Sequence, residues 1–523
     1  MPVRRGGAGL VAGGILLSRV FGLVRARLLA RFLGAGDEAD ALTAAIRIPN
    51  ILQILFGEGV LSASFIPTYV RTLAHGDADE AGRLAGAIGA LVALASAVLV
   101  VVGVVLAPLL IPIIAPGFSG EKRVLTILLV RIMFPAVGLL VMSAWALGVL
   151  NSHRKFFLAY ASPVAFNVVV IAVLLTVGER QGAAHLAQSV AWASVVGSGV
   201  QFLVQLPVVW RVERRLRLNA QWNSPKVRAV LTNFLPIFAG RGVVQLSAYA
   251  DQWLATLLPA GALTILNNAQ TVSILPVSLF GMSVAAAALP SMSRENATSA
   301  EGADRLRASL GEGLHRVAFY VVPSSVALIG LGDVIGATLF GTGKFGAPEI
   351  EWLWAVLAGS AIGLLASTLS RLYASTWYAL GDTRTPLRFA LLRVTLTLGL
   401  GAAASLVLPG ALGVDAKWGV AGLTASAGIA AWLEATLLRR SIAKRLGHVP
   451  VDRRYLTKLW LGAALSLAPA ILLRRILPAT HPFSTGIAVL VVYGVAYLGG
   501  AVAVGIPEVR LLQARLLNRW GRA

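Results

Sequence analysis

The sequence predicts an all-α integral membrane protein with about fourteen transmembrane helices, and three observations support this prediction. First, 57% of the 523 residues are hydrophobic and only 13% are charged, whereas a soluble domain carries about 25% charged residues. Second, apolar runs such as 86–114 and 484–504 are long enough, because roughly 20 residues cross a bilayer as a helix. Third, these runs do not alternate between apolar and polar residues, which favours helices over a closed β-barrel.

The hydropathy pattern places the spans between short polar connectors. Lys and Arg concentrate in alternate connectors, most clearly in 210–228 and 439–458, and this asymmetry marks the cytoplasmic side. Both termini are therefore predicted to be cytoplasmic, which agrees with an even number of helices. The predicted spans are approximately 8–33, 40–70, 84–114, 124–150, 157–177, 186–209, 228–258, 262–291, 314–340, 351–379, 388–408, 418–438, 458–476 and 484–506.

An internal repeat divides these helices into two six-helix lobes. Phe56 and Pro67 in the first half correspond, in the same order, to Phe280 and Pro290 in the second half. An even number of helices separates the copies, so both lobes have the same orientation in the membrane. Parallel repeats of this kind are typical of transporters that carry substrate between two halves. The predicted domains are an N-terminal lobe over 1–225, a C-terminal lobe over 226–445, and a C-terminal helix pair with a basic cytoplasmic tail over 446–523.

Composition and motifs exclude several classes of function. The net charge is +22, and the arginines that contribute to it lie between hydrophobic runs. This arrangement indicates contact with anionic lipid headgroups and excludes nucleic acid as an expected partner. The chain contains no Cys, so it has neither disulfides nor thiolate metal sites. It lacks a nucleotide-binding loop, a nucleophile elbow and a zinc-protease motif. We therefore predict a transporter and not an enzyme, with an ion gradient or the membrane potential as its driving force.

Charged side chains inside the predicted spans are the candidate substrate-binding groups, because each costs about 2.5–3.5 kcal/mol to insert. The cations among them are all Arg, whose planar guanidinium suits bidentate contact with phosphate. Such a pattern predicts a cationic cavity and an anionic, phosphate-bearing substrate. The alternative is that an arginine extends to the membrane interface or pairs with an acid. Arg19 and Arg25 favour the cavity, whereas Arg27, Arg371 and Arg393 favour the interface or an ion pair.

Several segments resemble the MurJ (MviN) family of lipid II flippases, which belongs to the multidrug/oligosaccharidyl-lipid/polysaccharide exporter superfamily. They include SRVFGLVR at 18–25, RIPN at 47–50, FGEG at 56–59 and GDTRTP at 381–386. The resemblance implies transport of lipid II, the undecaprenyl-diphosphate-linked peptidoglycan precursor, by alternating access. Its direction would be from the inner to the outer leaflet of the bacterial cytoplasmic membrane. The same resemblance connects the chain with cell wall biogenesis, cell shape and the cell-wall synthesis machinery.

The resemblance also assigns site residues one position at a time. Two positions at which the family usually has arginine carry glutamine here, and glutamine donates hydrogen bonds to phosphate without bringing a charge. Arg27, Arg47 and Arg241 are the cations that could compensate for this loss. The predicted substrate-binding set is Arg19 and Arg25 on the first helix, Asp40, Gln53 and Glu58 on the second, Arg241 on the seventh and Gln270 on the eighth.

A sodium site in the C-terminal lobe is a further expectation, since some family members bind sodium there. Asp251 is similar in position to one of their ligands, and its alternative role is an ion pair with Arg241. Because the arginine set departs from the family pattern, other functions stay open. These are a flippase for another lipid-linked oligosaccharide, such as an O-antigen or polysaccharide repeat, a multidrug exporter, and a non-transporting membrane scaffold.

Overall fold

The apolar spans form helices throughout the described part of the chain, because a backbone in lipid must satisfy its own hydrogen bonds. This computed structural model describes residues 6–58, 60–216, 222, 224–234, 238, 249–278, 300–449, 452–477 and 482–509. Within those residues, eleven helical segments are long and apolar enough to cross a membrane. They coincide with the second to sixth and the ninth to fourteenth predicted spans. The all-α membrane fold class is therefore confirmed.

The remaining three predicted spans differ in how much of each is described. The first is a continuous helix of 28 residues, Gly6–Leu33, which at 1.5 Å per residue is about 40 Å long and thus exceeds the bilayer core. The seventh and eighth, predicted over 228–258 and 262–291, extend into residues outside the described part. Arg241 and the repeat residues Phe280 and Pro290 lie outside it as well.

The chain divides into two compact units, Met1–Tyr249 and Ala250–Ala523. The finer division into two lobes and a C-terminal pair stays a prediction. Helices of the first unit are α1 Gly6–Leu33, α2 Asp37–Gln53, α3 Val60–Ala74, α4 Ala78–Ile114, α5 Gly120–Ser152, α6 Phe156–Ala161, α7 Pro163–Val177 and α8 Ala183–Val212. Helices of the second unit are α9 Ala250–Ala255, α10 Ala262–Pro276, α11 Ala300–Gly330, α12 Gly332–Phe340, α13 Ala347–Ala379, α14 Arg384–Ala402, α15 Leu408–Leu412, α16 Gly419–Leu446, α17 Arg453–Leu465, α18 Leu467–Ile476 and α19 Pro482–Ala503.

The two units build their cores from different contacts. In the first unit, α5 packs against α2, α4 and α8, around a buried cluster that includes Phe65, Tyr69 and Trp145. In the second unit, α13 packs along α16, and Gly363 meets Gly428 so closely that a Cβ on either residue would collide with the other backbone. Close approach at glycine is a common way for membrane helices to associate.

Candidate functional site

Two irregularities distort α2 next to the predicted substrate-binding residues. Pro49 lies inside α2 and has no N–H to donate to the preceding turn. A π-helical turn over Ile54–Glu58 follows directly after Gln53, and turns of this type often occur at functional sites. The backbone of Glu58 belongs to this turn, whereas its side chain lies outside the described part. The sequence motifs RIPN and FGEG thus mark a break in the second span.

Arg25 on α1 lies against an aromatic ring inside the first unit. Its guanidinium carbon is 5.2 Å from the centre of the Phe166 ring on α7, a distance at which a cation is attracted to the ring face. The Nε atom of Arg25 is buried and has no hydrogen-bond partner among the described residues. Arg19, six residues earlier on the same helix, is exposed. Among the described residues, Arg25 therefore has a ring contact that orients its cation and an Nε donor without a partner.

A second buried arginine, Arg47, lies near the middle of α2. Its side chain is only 7% exposed, and its guanidinium carbon is 5.7 Å from the centre of the Tyr249 ring. Burial and ring contact keep the charge of Arg47 within the first unit. The predicted substrate-binding set did not include this residue, although the RIPN motif contains it.

Asp40, a predicted substrate-binding acid, forms an ion pair in the structure. Its Oδ2 atom is 2.8 Å from Lys122 Nζ, and Asp37 Oδ1 lies 3.0 Å from the same nitrogen. Lys122 also lies over the ring of Phe118, 4.2 Å from its centre. The contact joins the start of α2 to the start of α5. A cargo contact through Asp40 Oδ2 would therefore compete with this ion pair.

Gln270 on α10 pairs with a second amide in the C-terminal unit. Gln252 Nε2 donates a hydrogen bond of 2.6 Å to Gln270 Oε1, and Gln252 is 9% exposed. Because its carbonyl oxygen is occupied, Gln270 presents its NH2 group, which can only donate. Sequence reasoning did not find Gln252, since a pairing between neighbouring helices leaves no local signal.

Asp251 belongs to a group of mixed charges on four helices of the second unit. Its Oδ1 atom is buried without a hydrogen-bond partner among the described residues, and Arg393 on α14 acts on it electrostatically. Arg393 Nη1 donates a 3.1 Å hydrogen bond to Glu434 Oε2 on α16, and Arg371 on α13 interacts with both members of that pair. Positive charge in this group is thus balanced by carboxylates.

The structure places the predicted site residues except Arg241, with the Glu58 backbone in the π-helical turn. Arg19, Arg25, Asp40 and Gln53 lie on α1 and α2 of the first unit, and Gln270 and Asp251 lie on α10 and α9 of the second. Arg241 falls outside the described residues, so its predicted pairing with Asp251 does too. The described residues contain no group of three His, Asp or Glu side chains that could hold a metal ion. Convergence of these residues on one cavity stays a prediction.

Comparison with known proteins identifies relatives over nearly the whole chain. The family model described as "Lipid II flippase MurJ" matches residues 29–494. A "Lipid II flippase MurJ" of Burkholderia cenocepacia is 33% identical over 470 residues, which cover 88% of this chain and 87% of the relative. A "Probable lipid II flippase MurJ" of Vibrio cholerae is 28% identical over 512 residues, which cover 95% and 93%.

Solved structures agree on the fold. A structure of "Lipid II flippase MurJ, inward closed conformation" matches with a TM-score of 0.77 and 21% identity, covering 95% of this chain and 98% of that one. An inward-facing multidrug resistance MATE family transporter of the MOP superfamily matches with a TM-score of 0.65 and 14% identity, covering 82% and 95%. At these identities the similarity shows a shared fold and leaves the cargo to be argued from the residues.

Proposed function

The chain belongs to the lipid II flippase MurJ family, and we propose that it moves lipid II from the inner to the outer leaflet of the cytoplasmic membrane. The family match over residues 29–494 is the observation that carries this proposal. By family membership, the chain is a multi-pass membrane transporter and not an enzyme. Transport proceeds by alternating access, in which the diphosphate-sugar head crosses inside the protein while the polyprenyl tail stays in lipid.

Arg25 is the residue we propose to bind the diphosphate first. We assign the diphosphate to Arg25 because its guanidinium lies beside an aromatic ring and its Nε has no hydrogen-bond partner among the described residues. Charge-assisted hydrogen bonds to phosphate are roughly twice as strong as neutral ones. Arg19 supplies a second cation on α1, and Arg47 supplies a third, with its charge held beside Tyr249.

Glutamines complete the proposed head-group contacts. Gln270 donates its NH2 group to a phosphate or sugar oxygen, with its orientation set by Gln252. Gln53 contributes in the same way from the end of α2, beside the π-helical turn. Neutral donors bind the head more weakly than arginine would, which also favours release of the cargo after the conformational change.

We propose the membrane potential as the driving force. The diphosphate head is anionic, so an inside-negative potential favours its outward movement by about 2.3 kcal/mol per charge at 100 mV. We propose that sodium takes no part in transport. Hard cations take several oxygen ligands, and Arg393 already brings positive charge to Asp251. No step of the proposed transport involves sodium.

Topology and partners follow from the same proposal. We propose that both termini are cytoplasmic, because Lys and Arg concentrate in the connectors 210–228 and 439–458. This orientation exposes the basic connectors to the anionic inner leaflet, where they bind acidic lipids. The cell-wall synthesis machinery supplies lipid II on the inner side and consumes it on the outer side, so contact with those enzymes is expected.

Genetic complementation tests the proposed function. The chain is expressed in a bacterium whose own lipid II flippase is depleted, and growth and cell shape are followed. We expect the wild-type chain to support growth and Arg25→Ala to fail at equal expression. Failure of the wild-type chain, or full growth with Arg25→Ala, would contradict the proposal.

A second candidate cargo is supported by one observation. Gln53 and Gln270 replace arginines of the family pattern, so the head-group contacts are less cationic than usual. A flippase for another lipid-linked oligosaccharide would have such contacts. Competition between lipid II and an O-antigen precursor for binding to the purified chain separates the two cargoes, since only the true cargo displaces labelled lipid II at equal or lower concentration.

A further inference from the structure

Three tyrosines of the C-terminal helix pair, α17 to α19, donate hydrogen bonds to one face of α11. Tyr455 Oη donates to the carbonyl oxygen of residue 315 at 3.2 Å, Tyr497 Oη to that of residue 319 at 2.8 Å, and Tyr493 Oη to that of residue 323 at 2.8 Å. The acceptors are spaced four residues apart, so they lie in one row along the helix.

The middle bond replaces one that α11 cannot make itself. In a regular helix the carbonyl of Phe319 accepts from the N–H of residue 323, but that residue is Pro323 and has no N–H. Tyr497 Oη supplies the missing donor. Water is scarce within a membrane, so an unsatisfied carbonyl there is costly. Tyr497 and Pro323 are therefore complementary across the interface.

Apolar and ionic contacts extend the same interface towards α12. Leu331, Ala470 and Val489 belong to one buried cluster. Arg474 Nη2 lies 2.6 Å from Asp333 Oδ2, and Gly486 on α19 approaches Thr338 on α12 so closely that a Cβ at 486 would collide with the Thr338 hydroxyl. Hydrogen bonds, apolar contacts and an ion pair thus all join α11 and α12 to the C-terminal helices α17 to α19.

We infer that α11, α12 and the C-terminal helix pair form one rigid wall, which stays assembled throughout the transport cycle. Tyr455, Tyr493 and Tyr497 are its positioning residues. Exposed apolar side chains such as Leu465 and Val495 line the outer face of the pair, at 73% and 65% exposure. The movements of alternating access occur in other elements of the protein. This inference rests on the proposed flippase function.

Disulfide cross-linking in a chain without native Cys tests the inference. A Cβ built at Gly486 lies 3.0 Å from Thr338 Cβ, close to the separation of about 3.5–4.5 Å found in disulfides. The double variant Thr338→Cys/Gly486→Cys is reconstituted, and lipid II movement is measured before and after oxidation. We expect the cross-linked protein to keep its rate within about twofold, since the linkage joins parts that do not move.

Loss of transport on oxidation, with recovery on reduction, would overturn the inference. Thr338→Cys alone controls for oxidation, and the double variant before oxidation controls for the substitutions themselves. A wild-type chain that moves no lipid II would count against the proposed function instead, so the two failures are distinguishable.

Hydrogen exchange on the wild-type chain provides a test that needs no variant. Amides of 482–503 and 315–323 are compared with and without lipid II during transport. We expect equal protection in both conditions, because the wall does not open. Faster exchange in both segments only during transport would contradict the inference.

Discussion

Arg25 and Arg47 of the first unit lie beside aromatic rings, whereas Arg371 and Arg393 of the second unit lie near carboxylates. Arg25 and Arg47 contact Phe166 and Tyr249, which attract a cation without cancelling its charge. Arg393, in contrast, is hydrogen-bonded to Glu434. The comparison teaches that the number of intramembrane arginines does not by itself locate an anion site. What matters is whether the surroundings leave the charge available.

Breaking the ion pair between Arg393 and Glu434 is expected to have the largest effect on stability. Glu434→Gln leaves the charge of Arg393 without its carboxylate, and removing one partner of a buried pair costs about 3–5 kcal/mol of unfolding free energy. We expect the lower end of that range, because 35% of the Arg393 side chain is exposed. Denaturant unfolding in detergent measures the loss.

A surface pair provides the control for this prediction. Glu312 lies 3.8 Å from Arg316 and is 76% exposed, so Glu312→Gln should change stability by less than about 1 kcal/mol. Equal effects of the two substitutions would contradict the distinction between neutralised and surface pairs.

Arg25 in the first unit should matter for binding of lipid II and not for folding. Arg25→Ala is expected to weaken binding of lipid II by about 1.5–3 kcal/mol, the value of a hydrogen bond to a charged group, which is about 10- to 150-fold in Kd. The melting temperature should change little. Arg31→Ala on the same helix is the control, because Arg31 pairs with Glu179 on the exposed surface. A similar loss in both variants would contradict a specific role for Arg25.

The tyrosine contacts predict a stability difference within the second unit. Tyr497→Phe leaves the Phe319 carbonyl without any donor and should cost about 1–3 kcal/mol, whereas Tyr493→Phe removes an additional bond and should cost about 0.5–1.5 kcal/mol. Adding Pro323→Ala restores an N–H to α11. The cost of Tyr497→Phe should therefore shrink in that background, and an unchanged cost in thermal unfolding would contradict the account.

The smallest effect concerns pH. His153, in the connector after α5, has a pKa below its ordinary value of 6.5, chiefly because of burial, which outweighs the attraction of Glu213. A base with a lowered folded pKa loses stability as pH falls below 6.5, since the unfolded chain takes up the proton first. His153→Gln should flatten the fall in melting temperature between pH 7 and 5, whereas His75→Gln in an exposed connector should not.

Hydropathy predicted the helices well because insertion into lipid depends on local composition. Eleven spans read from the sequence are helices in the described part of the chain. Partners across the fold were less predictable. Lys122 is 82 residues from Asp40, and no periodicity connects them. The same holds for Gln252 with Gln270 and for Tyr497 with Phe319, because each contact depends on how separate helices pack.

The candidate site could be predicted only in part for a similar reason. Motifs around Arg25 and Gln53 assigned these residues to the first two helices, but they could not show that Arg25 lies beside Phe166 or that Asp40 pairs with Lys122. Position in the spans separated Arg19 and Arg25 from Arg27, Arg371 and Arg393 in the sequence, but it did not name their partners. Only the fold shows that Arg25 lies beside Phe166 and that Arg393 pairs with Glu434.

A leaflet-resolved transport assay tests the central claim most directly. Vesicles containing the purified chain receive labelled lipid II in one leaflet, and its appearance in the other is followed under an imposed potential. The account predicts movement with the wild-type chain, little movement with Arg25→Ala, and no dependence on replacing sodium by choline. Movement no faster than in protein-free vesicles, or an undiminished rate with Arg25→Ala, would contradict it.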